Sequence, residues 1–466
     1  MSPVQVKEQP RIKEKEKLKR QIGLWTAMFV VMASMIGSGI FGNTGIIQSA
    51  VQNSYMVLFL WFIGGIIALA GALSYAELST LMPHAGGEYV YLKNIFGLLP
   101  SFLTGWVSFI VAFSAPAAAS GLLASEYLHK ALIVFDPHHE ITHFFDKEEG
   151  RKIFASSLIV LFTLIHIIEV KKGGYIQNFL TILKVSLIIL FLFLGFSVIF
   201  QNSNYQIQQN LKNDPVAWNG IGLGLLFVMF AYSGWNGATY LAEEIQNPEK
   251  NLPRALIGGT VIVMILYLLL NLLYYWSTPA TEFEGKEAIA AITAKNLFGN
   301  HVTIFFNIGF FVILLSTISA TIMVGPRVYY AMARDNLFFR AAAHLHPKFH
   351  TPIISFLIQG ILAIIYIWSG TYEQIQTYMG FALSVFPLLS VIGLMYLKKK
   401  NRNLKGPYQT PLYPLFPLIF IIFSIITMVV SFIGRPFECS VAILAILMGI
   451  PFYLVWTKYV LKNKET

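Results

Sequence analysis

The stretch Ile36-Gly37-Ser38-Gly39-Ile40 lies near the middle of the first hydrophobic segment of the chain. Each glycine destabilises a helix by about 1 kcal/mol relative to alanine, so this stretch predicts a break in a membrane-length helix. Such a break frees main-chain N–H and C=O groups, and it persists only where it lines a cavity. Helix ends that face a cavity attract anions at one end and cations at the other. The stretch therefore predicts a binding site for a small zwitterion, such as a free amino acid.

The composition is that of a membrane protein. Of the 466 residues, 56% are hydrophobic and 12% are charged, whereas a soluble domain has roughly 25% charged residues. The mean hydropathy of +0.64 points the same way. The net charge of +10 is explained by basic residues in loops, so we expect no nucleic-acid partner. Cys439 is the single cysteine, which excludes an intrachain disulfide.

Twelve apolar segments of membrane-spanning length follow residues 1–20, a polar tail that we expect to be mostly disordered. The sequence predicts an all-α polytopic protein embedded in a lipid bilayer. The predicted segments are 22–49, 55–82, 100–126, 153–169, 175–200, 219–243, 254–277, 302–333, 353–369, 375–397, 413–433 and 438–458.

The distribution of basic residues predicts the orientation of the chain. If the N-terminus is cytoplasmic, 24 Lys and Arg residues fall in cytoplasmic connections and tails, and 8 fall in external ones. Cytoplasmic loops carry an excess of these residues. We therefore expect both termini in the cytoplasm, with the protein in the plasma or inner membrane of the cell.

The sixth segment repeats the anomaly of the first, because Gly234 and Gly237 interrupt it. Gly-interrupted segments at corresponding positions, five segments apart, indicate an inverted repeat with a binding site where the two breaks meet. We therefore expect a first repeat at 21–200, a second at 201–400, and two further helices with a short cytoplasmic C-terminus at 401–466. Close helix packing is the alternative explanation of such glycines.

Several motifs along residues 22–460 resemble those of the amino acid–polyamine–organocation superfamily, and in particular its L-type amino acid transporter branch. The Gly37–Ile40 break is similar to that family's first-helix motif. The other matching motifs are Tyr75–Leu78, Gly86–Leu92, Phe230–Asn236, Glu243–Glu244, Asn247–Pro248, Asn251–Ala255, Gly325–Arg327, Ala331–Asp335 and Pro407–Pro411.

The resemblance implies a fold of two inverted five-helix repeats, known as the LeuT fold, with helices 1 and 6 broken and helices 11 and 12 added. It implies alternating-access transport of L-amino acids. We expect a sodium-independent exchanger of neutral amino acids, with no cofactor and no metal. A proton-coupled symporter and a non-transporting membrane sensor are the alternatives. No nucleophile–base pair lies in the spans, so we expect no enzyme.

The resemblance assigns the two ends of the substrate to the two breaks. Main-chain N–H groups of Gly37, Ser38 and Gly39 would hold the carboxylate, where a half-helix begins and its dipole is positive. Carbonyl groups would hold the ammonium, and Phe230 is also similar to the family's aromatic gate. The residues expected to supply those carbonyls are Met35, Phe230, Ala231 and Ser233.

Lys184 lies within the fifth segment, where a charged side chain costs on the order of 3 kcal/mol on insertion scales. Sodium-coupled relatives place a cation between spans 1 and 8, and we expect the Lys184 ammonium to occupy that place. Its partner would be a first-span carbonyl and one hydroxyl of the eighth segment. Snorkelling of Lys184 to the membrane surface is the alternative. The candidate hydroxyls are those of Ser316, Thr317 and Ser319.

The wall around the substrate side chain is expected from segments 3 and 10, at 110–116 and 379–384. No unpaired acidic residue lies in the central segments, which favours a neutral side chain. Four acidic residues at the cytoplasmic ends of segments are expected to pair with Arg254, Arg327 or Arg334. They are Glu77, Glu88, Glu243 and Glu244.

Two further motifs are not expected to carry a function. Residues 37–42 fit the G-x-G-x-x-G pattern, but a dinucleotide site needs a preceding strand. The histidines at 138, 139 and 143 have no standard metal-site spacing. Animal relatives that are linked to a heavy chain carry a cysteine in the loop between spans 3 and 4, and residues 127–152 contain none. The resemblance therefore implies a prokaryotic, single-subunit protein, and we expect no covalent heavy-chain subunit.

Overall fold

A computed structural model describes residues 20–135, 140–168, 170–201, 210–346, 351–401 and 406–462. Within these ranges, eleven helices are long and apolar enough to cross a membrane, and Ile353–Ser369 is a shorter apolar helix of 17 residues. The prediction of an all-α polytopic membrane protein is confirmed. Most of the predicted tail, and the histidines at 138 and 139, lie outside the described residues.

Each of the twelve predicted segments coincides with a helix, and we number these helices as spans in chain order. The largest difference is at span 8, which begins well before the predicted segment and bends at Gly299 (φ 72°). The spans are Leu24–Val51, Ser54–Leu81, Leu98–Phe135, Glu148–Ile168, Val170–Gln201, Trp218–Glu244, Pro248–Ser277, Ile289–Arg334, Ile353–Ser369, Tyr372–Lys400, Leu415–Gly434 and Pro436–Lys458.

The connections alternate between the two ends of the helices. Those after even-numbered spans include the short helix Glu88–Phe96, and we call their side of the molecule the Glu88 side. Those after odd-numbered spans include Ala280–Phe283, and we call theirs the Glu284 side. Ion pairs join connections on each side, at 2.6 Å between Lys93 and Asp335 and at 3.1 Å between Lys212 and Glu284.

Spans 1, 3, 6 and 8 form the buried centre of the molecule. Span 8 packs on spans 3 and 5, and span 7 packs on spans 1 and 2. Spans 11 and 12 lie at the periphery, where Ile433 and Phe437 are more than 70% exposed. The position of the four central spans means that a break in one of them opens towards protein, and not towards lipid.

Capping side chains fix where two spans begin on the Glu284 side. Asn53 precedes span 2 and accepts a hydrogen bond from the main-chain N–H of Met56 at 3.0 Å. Thr371 and Gln374 form a reciprocal capping box at the start of span 10. Such caps satisfy N–H groups that have no partner inside the helix, and each contributes about 1 kcal/mol.

A buried ion pair joins span 2 to span 10 on the Glu88 side. The Glu77 side chain is fully buried, and its carboxylate lies 2.8 Å from the Lys398 ammonium and accepts from the Thr410 N–H at 3.0 Å. The predicted pairing of Glu77 with an arginine is therefore wrong, because the end of span 10 packs beside this carboxylate.

Replacing Lys398 by methionine should lower the free energy of unfolding by about 3 kcal/mol, because a buried carboxylate would lose its counter-ion. Lys152→Met is the matched control, since its partner Glu148 is 64% exposed and such surface pairs contribute about 1 kcal/mol or less. Denaturation of the purified variants in detergent micelles measures both values. Equal losses in the two variants would contradict this account.

Candidate functional site

Span 1 is broken where the sequence predicted. Its first half ends at Met35, Ile36 is extended (φ −73°, ψ 96°), and a second half begins at Ser38. Gly37 precedes that second half and offers no side-chain cap. The first N–H groups of a helix have no partner within it, and they lie at the positive end of its dipole. The start of the second half can therefore bind an anionic group.

Span 6 is broken at the same depth. Its long helix ends at Tyr232, and Gly234 adopts a left-handed conformation (φ 93°) before the chain continues as the 3-10 helix Gly237–Glu244. The carbonyl groups that end the first helix carry partial negative charge. They can bind a cationic group.

The two breaks are in direct contact because glycines stand at the contact points. A Cβ atom added to Gly39 would lie 2.6 Å from Cα of Ala231, and one added to Gly234 would lie 2.6 Å from the main chain of Ser34. Real side chains do not approach so closely. These two positions therefore let the two breaks pack directly against each other.

Tyr267 of span 7 bridges the two breaks, and the sequence analysis missed it. Its hydroxyl lies 2.7 Å from the carbonyl oxygen of Met35 and 3.0 Å from that of Ala231. Its single proton donates to one of these carbonyls at a time, so lone pairs remain for a ligand. The one sequence signal was a tyrosine between Leu266 and Leu268 in an aliphatic span.

A cavity of about 1270 Å³, including its open mouth, begins at the breaks and extends towards the Glu88 side. It is also lined by parts of the predicted side-chain wall, at Pro116 of span 3 and Gly380 and Ser384 of span 10. All seven residues predicted to bind substrate line this cavity: Met35, Gly37, Ser38, Gly39, Phe230, Ala231 and Ser233.

Lys184 is fully buried, so it does not snorkel to the membrane surface. Its ammonium donates to the carbonyl oxygen of Ile36 at 2.6 Å and to Oγ1 of Thr317 at 2.9 Å. Thr317 in turn donates to the same carbonyl at 2.8 Å. The Lys184 amino group thus lies at the end of the first half of span 1, between spans 1, 5 and 8.

The three candidate hydroxyls of span 8 have different neighbours. Thr317 is the one in contact with Lys184. Ser319 Oγ lies 3.0 Å from Nε2 of His166 in span 4. Ser316 Oγ is buried and has no hydrogen-bond partner within the described part of the chain. Residues 316, 317 and 319 project in different directions around one helical turn, which explains this division.

The second half of span 1 is tied to its neighbours on the Glu284 side of the site. The hydroxyl of Tyr127 in span 3 donates to the carbonyl of Phe41 at 3.0 Å. The hydroxyl of Tyr372 in span 10 donates to the carbonyl of Ser38 at 2.8 Å. Thr44 donates to the Asn271 side chain of span 7 at 2.8 Å. These bonds close the Glu284 side in this conformation.

Glu88 lies at the other end of the cavity, and its side chain is only 4% exposed. Its carboxylate accepts hydrogen bonds from Tyr75 (3.0 Å), Asn236 (2.5 Å) and Tyr240 (2.8 Å). Burial raises the pKa of the Glu88 carboxyl, and these hydrogen bonds oppose the shift. The predicted pairing with an arginine is wrong here too, because hydroxyl and amide donors surround the carboxylate.

Among the described residues, no group of three or more His, Cys, Asp or Glu side chains could hold a metal ion. The histidine at 143 instead contacts Asp146, with Nδ1 3.2 Å from a carboxylate oxygen.

Comparison with known proteins agrees with this geometry. The serine/threonine exchanger SteT of Bacillus subtilis (strain 168) is 32% identical over 445 residues, which are 94% of this chain and 96% of that protein. The b(0,+)-type amino acid transporter 1 of Mus musculus is 29% identical over 95% of this chain and 89% of its own length. The human cystine/glutamate transporter is 27% identical over 97% and 88%.

The same assignment follows from the family that the chain matches. The amino acid permease family covers residues 22–452, which include both breaks, Lys184 and every predicted site residue. The predicted superfamily and the prediction of a transporter, not an enzyme, are thereby confirmed. The chain belongs to the amino acid permease family.

Proposed function

We propose that this protein is a sodium-independent exchanger of neutral L-amino acids that works by alternating access. One observation carries the proposal: the start of one half-helix and the end of another lie side by side, and both line a single cavity. The relatives that are named exchangers or amino acid transporters support it.

The substrate's two charged ends are bound by main-chain groups in this proposal. The carboxylate lies at the first turn of the second half of span 1, at Gly37, Ser38 and Gly39. The ammonium lies at the carbonyl groups of Met35, Phe230, Ala231 and Ser233. Each charged end meets main-chain dipoles and no opposite full charge, which keeps binding weak enough for release during transport.

A neutral substrate side chain fits the charges of the cavity. Glu88 is the one charged residue of its described lining, and three donors already satisfy that carboxylate. A cationic side chain would have no free counter-ion there. The substrate's side chain instead meets Phe113, Pro116 and the 380–384 segment.

Sodium independence follows from Lys184. Its ammonium contacts the Ile36 carbonyl and Thr317, where the resemblance to sodium-coupled transporters places a cation. A second cation at the same point would be repelled by a full charge within about 4 Å. Lys184 therefore stabilises the broken conformation of span 1 without a sodium ion. It also links the end of the first half of span 1 to span 8.

Alternating access requires that one side opens while the other is closed. The ties of Tyr127 and Tyr372 to span 1 close the Glu284 side, and the cavity extends towards the Glu88 side. We assign the Glu88 side to the cytoplasm because basic residues are in excess in its connections. Both termini then lie in the cytoplasm.

The breaks in spans 1 and 6 support two inverted repeats, at 21–200 and 201–400, which are followed by the helices of 401–466. We expect no covalent partner subunit.

Exchange predicts that uptake depends on internal substrate. Proteoliposomes that contain the purified protein should accumulate radiolabelled L-serine, L-threonine or L-leucine only when an unlabelled neutral amino acid is inside. Replacing external sodium by choline should leave the rate unchanged. Uptake into empty vesicles driven by a pH gradient would instead support the proton symporter, and a strict need for sodium would contradict the role of Lys184.

Lys184→Met and Thr317→Val should both slow exchange, because each removes part of the contact between span 8 and the end of the first half of span 1. A hydrogen bond to a buried charged group contributes about 1.5–3 kcal/mol, so losses of roughly tenfold or more are expected. Ser316→Ala is the matched control, since Ser316 does not contact Lys184. Wild-type exchange by Lys184→Met would remove that residue from the mechanism.

Gly39→Ala should abolish substrate binding, because the added Cβ would lie 2.6 Å from Ala231 and force the two breaks apart. Gly23→Ala is its control, since no atom lies within 4 Å of the Cβ position there. Substrate-induced thermal stabilisation of the purified variants measures the effect. Equal stabilisation of Gly39→Ala and wild type would show that the contact between the breaks is dispensable.

A further inference from the structure

One hydroxyl group in the cavity wall has no partner. Ser120 of span 3 lines the cavity and is 1% exposed, and its Oγ has no hydrogen-bond partner within the described residues. Three other hydroxyls of the lining are satisfied by their own helices, since Thr104, Thr321 and Ser384 each donate to a carbonyl four residues earlier at 2.6–2.8 Å. Ser120 departs from this common arrangement of helical serines.

The position of Ser120 along span 3 places it at the level of the helix breaks. Phe113, Ser120 and Tyr127 are seven residues apart, so they share one face of the helix at intervals of about 10 Å. Phe113 packs on Tyr240 towards the Glu88 side, with ring centroids 5.6 Å apart. Tyr127 donates to the Phe41 carbonyl on the Glu284 side. Ser120 lies between these two points, beside the site of the substrate.

The surroundings of Ser120 make its hydroxyl selective. Pro116, Ala320 and Val324 line the same cavity on spans 3 and 8, and their apolar side chains supply no hydrogen-bonding group. A buried hydroxyl without a partner is unfavourable, and a ligand that supplies the partner relieves this. An apolar ligand of the same shape leaves the hydroxyl unsatisfied, so binding discriminates between the two.

We propose that Ser120 is a specificity-determining residue that hydrogen-bonds an uncharged polar group on the substrate's side chain, and that the preferred substrates are hydroxyl amino acids such as serine and threonine. This inference rests on the proposed function, because it assigns the side-chain end of the same site. A hydroxyl both donates and accepts, so the two groups can pair in either direction.

The test compares L-threonine with L-valine, which has nearly the same shape and a methyl group in place of the hydroxyl. Each competes with radiolabelled L-alanine for exchange in proteoliposomes. Wild type should prefer threonine, and Ser120→Ala should reduce that preference by roughly three- to tenfold, the value of one hydrogen bond between neutral groups. The KM for alanine, which has no polar side-chain group, should not change.

Ser114→Ala is the matched control for Ser120→Ala. Ser114 lies on the same span and is fully buried, but its hydroxyl is 3.4 Å from the Gln359 carbonyl and it does not line the cavity. Its replacement should leave the ratio of threonine to valine affinities unchanged. A similar loss in both variants would indicate a general disturbance of span 3 and overturn the assignment.

Two outcomes overturn the inference while the proposed function stands: wild type that does not prefer threonine to valine, and Ser120→Ala that keeps the wild-type preference. Failure of wild type to exchange any neutral amino acid would instead overturn the proposed function. If Ser120→Ala does not fold, Ser120→Cys keeps the volume with a much weaker hydrogen-bonding group. Ser120→Cys should lose most of the difference between threonine and valine in thermal stabilisation of the protein. An unchanged difference would overturn the inference.

Discussion

The structure depends on one constraint, which is that main-chain polar groups at membrane depth need partners that hydrocarbon does not supply. The breaks in spans 1 and 6 expose such groups where spans 3, 7, 8 and 10 surround them. Part of the requirement is met by protein, as when Tyr267 bonds the carbonyls of Met35 and Ala231 and Lys184 bonds that of Ile36. The groups that remain without a protein partner among the described residues are N–H groups at one break and carbonyl groups at the other. A zwitterion can bind both, through its carboxylate and its ammonium.

The same constraint explains how binding and gating are linked. The second half of span 1 presents N–H groups to the cavity and is also the element that Tyr127 and Tyr372 hold on the Glu284 side. The first half ends at the carbonyl that Lys184 and Thr317 hold. A ligand that bonds the break therefore acts on elements that define both sides of the cavity, so its occupancy can change the balance between open and closed states.

The sequence predicted the features that depend on local chemistry. Glycines in apolar runs located both breaks, the isolated Lys184 indicated a buried cationic contact, and apolar length located the spans. It did not predict contacts that depend on the packing of distant helices. Tyr267 was not singled out, and the partners of Glu77 and Glu88 were wrongly assigned to arginines. The hydroxyl that contacts Lys184 could not be chosen among Ser316, Thr317 and Ser319, because the choice depends on the rotation of span 8 about its axis.

The most direct test of the central claim is a cryo-EM structure of the protein with a bound neutral L-amino acid. The account predicts carboxylate oxygens about 3 Å from main-chain nitrogens at 37–39. It also predicts the ammonium at carbonyl oxygens that include those of Phe230 and Ser233, with both helices still broken. A ligand whose charged ends lie on side chains elsewhere, or a continuous helix through Gly37, would contradict it.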